Sequence, residues 1–94
     1  MTGKVLVRHL IEDSVFADCN RFSKEEFIKL HTDRITPDFK QYVVDNGIPG
    51  VICYNPEEDT VYDGHKRIII AWLLGITTIE YAYGESQFLI ELES

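Results

Sequence analysis

The sequence predicts a small α/β (α+β) domain in which three helices accompany a small mixed sheet. The chain is 45% hydrophobic and 27% charged, which is typical of a folded protein rather than a disordered one. Two segments carry helix-start signals, and several short runs rich in β-branched and aromatic residues are separated by turn residues. A length of 94 residues suits a single domain spanning residues 1–94.

The first quarter of the chain predicts one strand followed by a loop. Residues 4–10 alternate, with Val5 and Val7 on one face and Leu6 and Arg8 on the other. This period of two is typical of a β-strand, so a strand is expected from Lys4 to Leu10. Residues 13–22 are rich in polar turn-forming residues and are expected to form a loop.

Two helices follow, each with a recognisable N-terminus. Ser23 and Glu26 have the spacing of a capping box, which predicts a short helix to about His31. Thr36 can cap a second helix, because Pro37 suits the first helical position and the Asn46-Gly47 pair ends it with residues that tolerate a left-handed conformation.

The next predicted element is a hairpin. Val51–Asn55 and Thr60–Asp63 are short β-rich runs around a polar turn that begins with Pro56. Further strands are expected at residues 76–83 and, at an edge of the sheet, at residues 87–92.

The segment between the hairpin and these strands is ambiguous. Ile68 to Leu74 is a run of seven apolar residues, which fits a buried strand or a buried helix equally well by periodicity. The three isoleucines favour a strand. Gly75 lies where a helix would end, and this position together with the length of the segment favours a helix, which we expect.

Charge and composition exclude several classes of function. A net charge of −7, from 16 acidic and 9 basic residues, repels a phosphate backbone, so DNA binding is not expected. No apolar run approaches the ~18 residues of a membrane span, and the first residues lack a secretory pattern. Cys19 and Cys53 form no close pair and offer, with the histidines, no metal-ligand spacing. A cytoplasmic protein with reduced thiols, no membrane association and no metal centre is therefore expected.

The segment Asp63-Gly64-His65-Lys66-Arg67 is the candidate site, because it lies where a predicted strand meets a predicted helix. A helix N-terminus presents amides and a positive partial charge that attract anions. Gly64 lets a phosphate approach the backbone, Lys66 and Arg67 add positive charge, and His65 can donate a hydrogen bond or carry a proton.

A simpler interpretation of the same turn stays open at this point. The Asp63 carboxylate could cap the helix and would then compete with a phosphate for the same amides. Lys66 and Arg67 would in that case be solvated surface residues. The turn contains no P-loop or dinucleotide fingerprint, and a short motif of this kind is weakly specific.

The residues around this turn resemble the signature of ParB/sulfiredoxin-fold domains. Members of that family show a turn such as D-G-H-H-R, G-C-H-R or G-E-R-R, a helix ending in L-G, and a strand beginning with I or T-I. The chain reads V-Y-D-G-H-K-R-I-I-I-A-W-L-L-G-I-T-T-I over residues 61–79. Residues 46–52 are similar to the family's entry into its core strand, and residues 20–26 to the lead into its first helix. The resemblance is best over residues 36–83 and implies a stand-alone ParB-like N-terminal domain.

The resemblance implies a nucleotide site. By position, Gly64, His65, Lys66 and Arg67 would contact phosphate, and Arg67 is the best-matched of them. The implied ligand is ATP, ADP or CTP with Mg²⁺, with weak NTPase or phosphotransferase activity, and His65 and Asp63 are the candidate catalytic residues.

Several departures from the family limit what is carried over. Sulfiredoxins place a catalytic cysteine where this chain has His65, so sulfinic-acid repair is not expected. Lys66 replaces a family histidine or arginine, and the further domains of ParB partition proteins are not expected here. The family's serine-kinase branch, which shares D-G-H, needs an upstream carboxylate. Glu12 and Asp13 are the positional candidates for it, and they fit solvated loop acids as well.

A second hypothesis is a catalytically inactive, acidic protein-binding module that acts on a host protein. Stand-alone domains of the family it resembles are often found in phages and mobile elements. The predicted helix at residues 64–74 is apolar on nearly all sides, which implies either full burial or cover by a partner. Self-association as a homodimer is therefore also expected, with Leu74 on the interface.

Overall fold

The computed structural model contains a five-stranded mixed sheet and four α-helices, which confirms the predicted α/β class. It describes residues 1–19 and 22–84. In chain order the elements are β1 (Thr2–Leu6), α1 (Val7–Glu12), β2 (Val15–Phe16), α2 (Lys24–Arg34), α3 (Pro37–Asn46), β3 (Ile52–Asn55), β4 (Thr60–Asp63), α4 (His65–Leu73) and β5 (Thr78–Ala82). A short 3₁₀ turn, Ala17–Cys19, follows β2.

The sheet has the strand order β1-β5-β3-β4-β2. β1 and β5 are antiparallel, with Thr2 opposite Ala82 and Leu6 opposite Thr78. β3 is antiparallel to β4 and parallel to β5, and β2 is parallel to β4. β3 is therefore the central strand, and all four of its residues are buried.

The main core lies between the sheet and helices α1, α2 and α4. Its side chains come from all of these elements, and the cluster comprises Val7, Leu10, Phe16, Phe27, Ile52, Tyr54, Val61, Ile68, Ala71 and Ile79. Because α4 contributes four consecutive residues that are 0% exposed, Ile68 to Ala71, it is the helix most deeply embedded in this core.

The two predicted helix N-termini are confirmed. The Ser23 hydroxyl accepts a hydrogen bond from the Glu26 amide at 3.1 Å, and the Thr36 hydroxyl accepts one from the Phe39 amide at the same distance. The first helix is longer than predicted and ends at Arg34 rather than near His31. The second ends at Asn46 as predicted.

The predicted strand from Lys4 to Leu10 is wrong in its second half. The strand ends at Leu6, and residues from Val7 onwards form α1. Val7 and Leu10 are 1% and 0% exposed, and their spacing of three residues places both on one face of a helix. The alternating pattern also fits this helix because the segment is too short for the two periods to differ clearly.

The predicted loop at residues 13–22 is also wrong in part. Val15 and Phe16 form β2, which pairs with Thr60 and Val61 of β4. A strand of two residues has too little sequence for any periodicity to show, so this edge strand could not be recognised. With α1, the number of helices in the described residues becomes four rather than three.

The apolar run after the hairpin is a helix, as predicted. α4 spans His65–Leu73, and Gly75 follows it with a φ of +73°. This helix is not buried on all sides, because Trp72 and Leu73 remain 43% and 47% exposed. The hairpin and the strand after α4 are confirmed as β3, β4 and β5, whereas the predicted strand at residues 87–92 lies outside the described residues.

Within residues 1–19 and 22–84, none of the helices combines the length and the apolar character needed to cross a membrane.

Candidate functional site

The β4–α4 turn is built around a glycine that no other residue could replace without rearrangement. Gly64 has a φ of +89°, in the left-handed region that disfavours a side chain. A Cβ at this position would lie 2.7 Å from Cγ2 of Ile52 and 3.1 Å from its Cα, on the buried central strand. The turn therefore holds the start of α4 close against β3.

Among the described residues, no side chain caps the N-terminus of α4. Gly64 is the N-cap residue and has no side chain to accept a hydrogen bond from the first turn of the helix. The interpretation of Asp63 as the helix cap is therefore wrong. Asp63 is the last residue of β4 and lies opposite Cys53, next to a bulge in the pairing of β3 with β4. It is exposed.

A cavity of about 500 Å³ opens in front of this helix N-terminus. It is lined by all five residues of the candidate turn and by two helices and a loop that lie far from the turn in sequence. The lining residues are Phe27, His31, Phe39, Pro49, Asp63, Gly64, His65, Lys66 and Arg67. Its volume falls within the range of about 300–1,000 Å³ that is usual for small-molecule sites.

Arg67 lies at the inner side of this cavity and is half-buried. Its Nη1 donates a hydrogen bond to the carbonyl oxygen of Val51 at 3.0 Å. A guanidinium carries five N–H donors, so this bond leaves it able to bind an anion as well. The simpler interpretation of Arg67 as a solvated surface residue is therefore wrong.

Lys66 lies on the exposed side of the cavity. Its ammonium sits over the ring of Phe39, 4.9 Å from the ring centroid, in the geometry of a cation–π contact. Such a contact at an exposed site contributes only about 0.5–1 kcal/mol, so the side chain can leave the ring at little cost.

His65 is buried and only 5% exposed. Its ring makes edge-on contacts with Phe16 and Phe27, with centroid distances of 4.9 and 5.2 Å. These contacts fix the first residue of α4 against β2 and α2. The imidazole thus lies in the cavity wall.

The sequence analysis missed the aromatic part of the cavity. Phe27 and His31 come from α2, with their rings 4.4 Å apart, and Phe39 comes from α3. The sequence offered one signal for two of them: Phe27 and His31 are four positions apart, which places them on one face of a helix. Their convergence on the turn depends on how α2 and α3 pack, which no local pattern reveals.

The structure does not bring the two upstream acids to this cavity. Glu12 forms an ion pair with Arg8 at 3.2 Å, and Asp13 lies 3.5 Å from Nδ1 of His9. Neither acid lines the cavity. Among the residues described, no group of three histidines, cysteines or acids has the arrangement of a metal centre.

A second polar cluster, which the sequence analysis did not identify, lies at the β3–β4 turn. Asp59 accepts hydrogen bonds from the Tyr54 hydroxyl at 2.5 Å and from His9 at 2.8 Å. Burial raises the pKa of Asp59, but the hydrogen bonds from Tyr54 and His9, together with the charges of His9 and Lys24, hold that pKa below its usual value. Burial, and then the bond to Asp59, raises the pKa of Tyr54 well above its usual value.

Comparison with protein-family models, curated proteins and solved structures found no match to this chain. The resemblance to ParB/sulfiredoxin-fold domains therefore stays a prediction.

Proposed function

We propose that the domain binds a nucleotide, with its phosphates at the N-terminus of α4 and its base against the aromatic wall of the cavity. The observation that carries this proposal is the joint position of three features on one cavity of about 500 Å³. These are a helix N-terminus that no side chain of the described residues caps, two cationic side chains, and the aromatic side chains of α2 and α3.

The anion end of the proposed site is formed by Gly64, Lys66 and Arg67. The first amides of α4 would donate to phosphate oxygens, and the absence of a Cβ at Gly64 permits close approach. Arg67 can bind phosphate with two donors while Lys66 acts as a mobile point charge. His65 supports this end through packing and holds the first turn in place.

The aromatic wall of the proposed site takes a flat, apolar group. Phe27, His31 and Phe39 present rings to the cavity, and a nucleobase can stack on such rings. Phosphate alone would leave this part of the cavity unfilled. A mononucleotide fits the combination better than inorganic phosphate does.

Binding is better supported than catalysis. Asp63 is the one carboxylate among the described residues that line the cavity. Mg²⁺ is commonly bound by one or two carboxylates together with substrate phosphates, so Asp63 suits a Mg²⁺ ion that enters with ATP, ADP or CTP. A weak NTPase or phosphotransferase activity would need Asp63 to orient the attacking group as well, and the burial of His65 favours a supporting role for that residue.

The test is thermal unfolding with ATP, ADP, CTP and GTP, each with and without Mg²⁺. A ligand at about 100 times its dissociation constant adds roughly 2.7 kcal/mol of stability. For a domain of this size, that raises Tm by on the order of 10 °C. The variant Lys66→Ala should reduce the shift, whereas Lys29→Ala, which removes an exposed lysine outside the cavity, should not. No shift with any of the four at millimolar concentration would reject the proposal.

An acidic protein-binding module is the second candidate, and one observation favours it. Trp72 and Leu73 are 43% and 47% exposed at the end of α4, and Leu6, which is 54% exposed, lines the same shallow groove as Trp72. The net charge of −7 favours a partner with a basic surface, because association is faster between opposite charges. The same charge opposes self-association, so a second copy of this chain is a less favoured partner for this surface than a basic protein.

The protein-binding candidate is tested with Trp72→Ser and Leu73→Ser. In a capture experiment, a basic protein that binds the wild type should not bind either variant. Salt should release this protein from the wild type. Sedimentation velocity over a range of concentrations tests the homodimer in the same variants. Leu74, the residue expected from sequence, is the poorer choice because it is half-buried. If neither variant alters capture or sedimentation, this surface is not an interface.

A further inference from the structure

The segment between α3 and β3, residues 47–51, forms one side of the cavity, and we call it the strap. Pro49 lines the cavity, and Ile48 packs partly buried against the main core. The strap leads directly into the buried central strand, because Ile52 follows it and is 0% exposed. A change at the cavity that moves the strap is therefore transmitted to the start of β3.

Arg67 is in contact with both the strap and the cavity. Its Nη1 donates to the Val51 carbonyl at 3.0 Å. The Nη2 side of the guanidinium lies next to Gly50, where a Cβ would be 3.6 Å from Nη2. The same side chain lines the cavity in front of the α4 N-terminus. One planar group thus contacts the strap and also lines the cavity that contains the proposed anion position.

We propose that Arg67 couples anion binding in the cavity to the position of the strap. The Val51 carbonyl and a bound phosphate share the guanidinium, which has enough N–H donors for both. A bound anion restrains the guanidinium and so holds the strap more firmly than in the free protein. The choice of a phosphate as the anion rests on the proposed function, whereas the hold of Arg67 on the strap does not.

The coupling acts in both directions. If an anion stabilises the Arg67–Val51 contact, the intact contact must increase the affinity for the anion by the same factor. Lysine at position 67 keeps the positive charge but holds two partners less rigidly, because an ammonium is a compact point charge rather than a planar fork. The Arg67→Lys variant therefore retains attraction for an anion and weakens the coupling to the strap.

Hydrogen exchange of the strap amides measures this coupling directly. In the free protein, Arg67→Ala should speed strap exchange by about tenfold, the factor expected for loss of a charge-assisted hydrogen bond. Lys66→Ala is the matched control on the same cavity. Its strap amides should exchange at the wild-type rate, because the Lys66 ammonium that it removes contacts Phe39 and not the strap. Added ATP with Mg²⁺ should slow strap exchange in wild type. Arg67→Lys should still bind ATP by thermal shift but show less of this slowing.

Each contrary result has a distinct meaning. If Arg67→Ala exchanges like wild type without ligand, Arg67 does not hold the strap and the inference is overturned whatever binds. If ATP raises Tm of the wild type without slowing strap exchange, the coupling is rejected and the proposed function stands. If none of ATP, ADP, CTP, GTP and, in a parallel series, inorganic phosphate raises the Tm of the wild type, the proposed function fails, and with it the coupling. Faster exchange of the strap amides in ligand-free Arg67→Ala would then still show that Arg67 positions the strap.

Discussion

Nε2 of His9 lies 2.8 Å from Oδ1 of Asp59, and the same oxygen accepts the Tyr54 hydroxyl at 2.5 Å. These bonds join α1 to the turn between β3 and β4. Asp59 also has a φ of +52°, in the left-handed region that is uncommon for residues other than glycine, asparagine and aspartate. The carboxylate therefore closes a tight turn and fastens the N-terminal helix to it.

The Asp59 carboxylate should stabilise the fold in a pH-dependent way. Its pKa in the folded protein is below the ordinary value of 3.8, so its contribution is present above that value and is lost as pH falls through the folded pKa. Asp59→Asn, which tolerates the same backbone conformation, should lower the free energy of unfolding by about 1 kcal/mol at pH 7.

Urea unfolding at several pH values checks this expectation. The difference between wild type and Asp59→Asn should shrink below pH ~4. Asp33→Asn changes an exposed carboxylate of α2 and serves as the control. A difference for Asp59→Asn that stays constant down to pH ~2 would show that the charge is not responsible.

Gly64→Ala should be much more damaging than Gly75→Ala. Both glycines have positive φ, so each alanine meets a backbone cost of about 1–2 kcal/mol. Only Gly64 also places the new Cβ against Ile52, whereas nothing lies within 4 Å at Gly75. A total loss of about 2–4 kcal/mol is expected for Gly64→Ala. Equal losses in denaturant unfolding would mean that the β4–α4 turn can move away from β3.

Phe39→Ala should distinguish a nucleotide site from a phosphate site. Base stacking on an aromatic side chain contributes roughly 1–3 kcal/mol, so this variant should weaken ATP binding by about tenfold or more. Pyrophosphate affinity should hardly change, while Lys66→Ala should weaken both ligands. Titration calorimetry measures the two affinities, and an equal loss for ATP and pyrophosphate in Phe39→Ala would place the base elsewhere.

Thr36→Ala should destabilise the domain by about 1 kcal/mol because it removes the hydroxyl that accepts the Phe39 amide at the start of α3. Thr36→Ser keeps the hydroxyl and should retain most of the stability. Thermal unfolding of the three proteins compares them directly. If the alanine and serine variants lose the same stability, the methyl group of Thr36 matters rather than its cap.

Local signals in the sequence predicted the parts of the fold that local chemistry determines. The Ser23 and Thr36 caps, the hairpin and the helix ending before Gly75 all depend on residues within one or two turns of each other. α1 and β2 were missed because six and two residues are too short to distinguish periods. Their form depends on burial against α4 and pairing with β4, which are contacts between distant segments.

The candidate site also has one part that local sequence signals predict and another part that they do not. Gly64 to Arg67 were identified because a strand-to-helix turn has a local signature. The aromatic residues of α2 and α3 were not, since their approach to the turn results from tertiary packing. The hydrogen bond from Arg67 to Val51 was equally invisible in the sequence, because it joins residues 16 positions apart through a side chain.

The antiparallel pairing of β1 with β5 joins Thr2 to Ala82, so the sheet cannot be completed until β5 has been synthesised. On the ribosome, β1 emerges first and must wait for its only described neighbour in the sheet, which emerges last. Pairings between such distant residues form slowly. The hairpin and α4 can assemble earlier, while the N-terminal strand stays exposed to chaperones and proteases. Substitutions in β5 should therefore alter the yield of folded protein in cells more than their effect on final stability suggests.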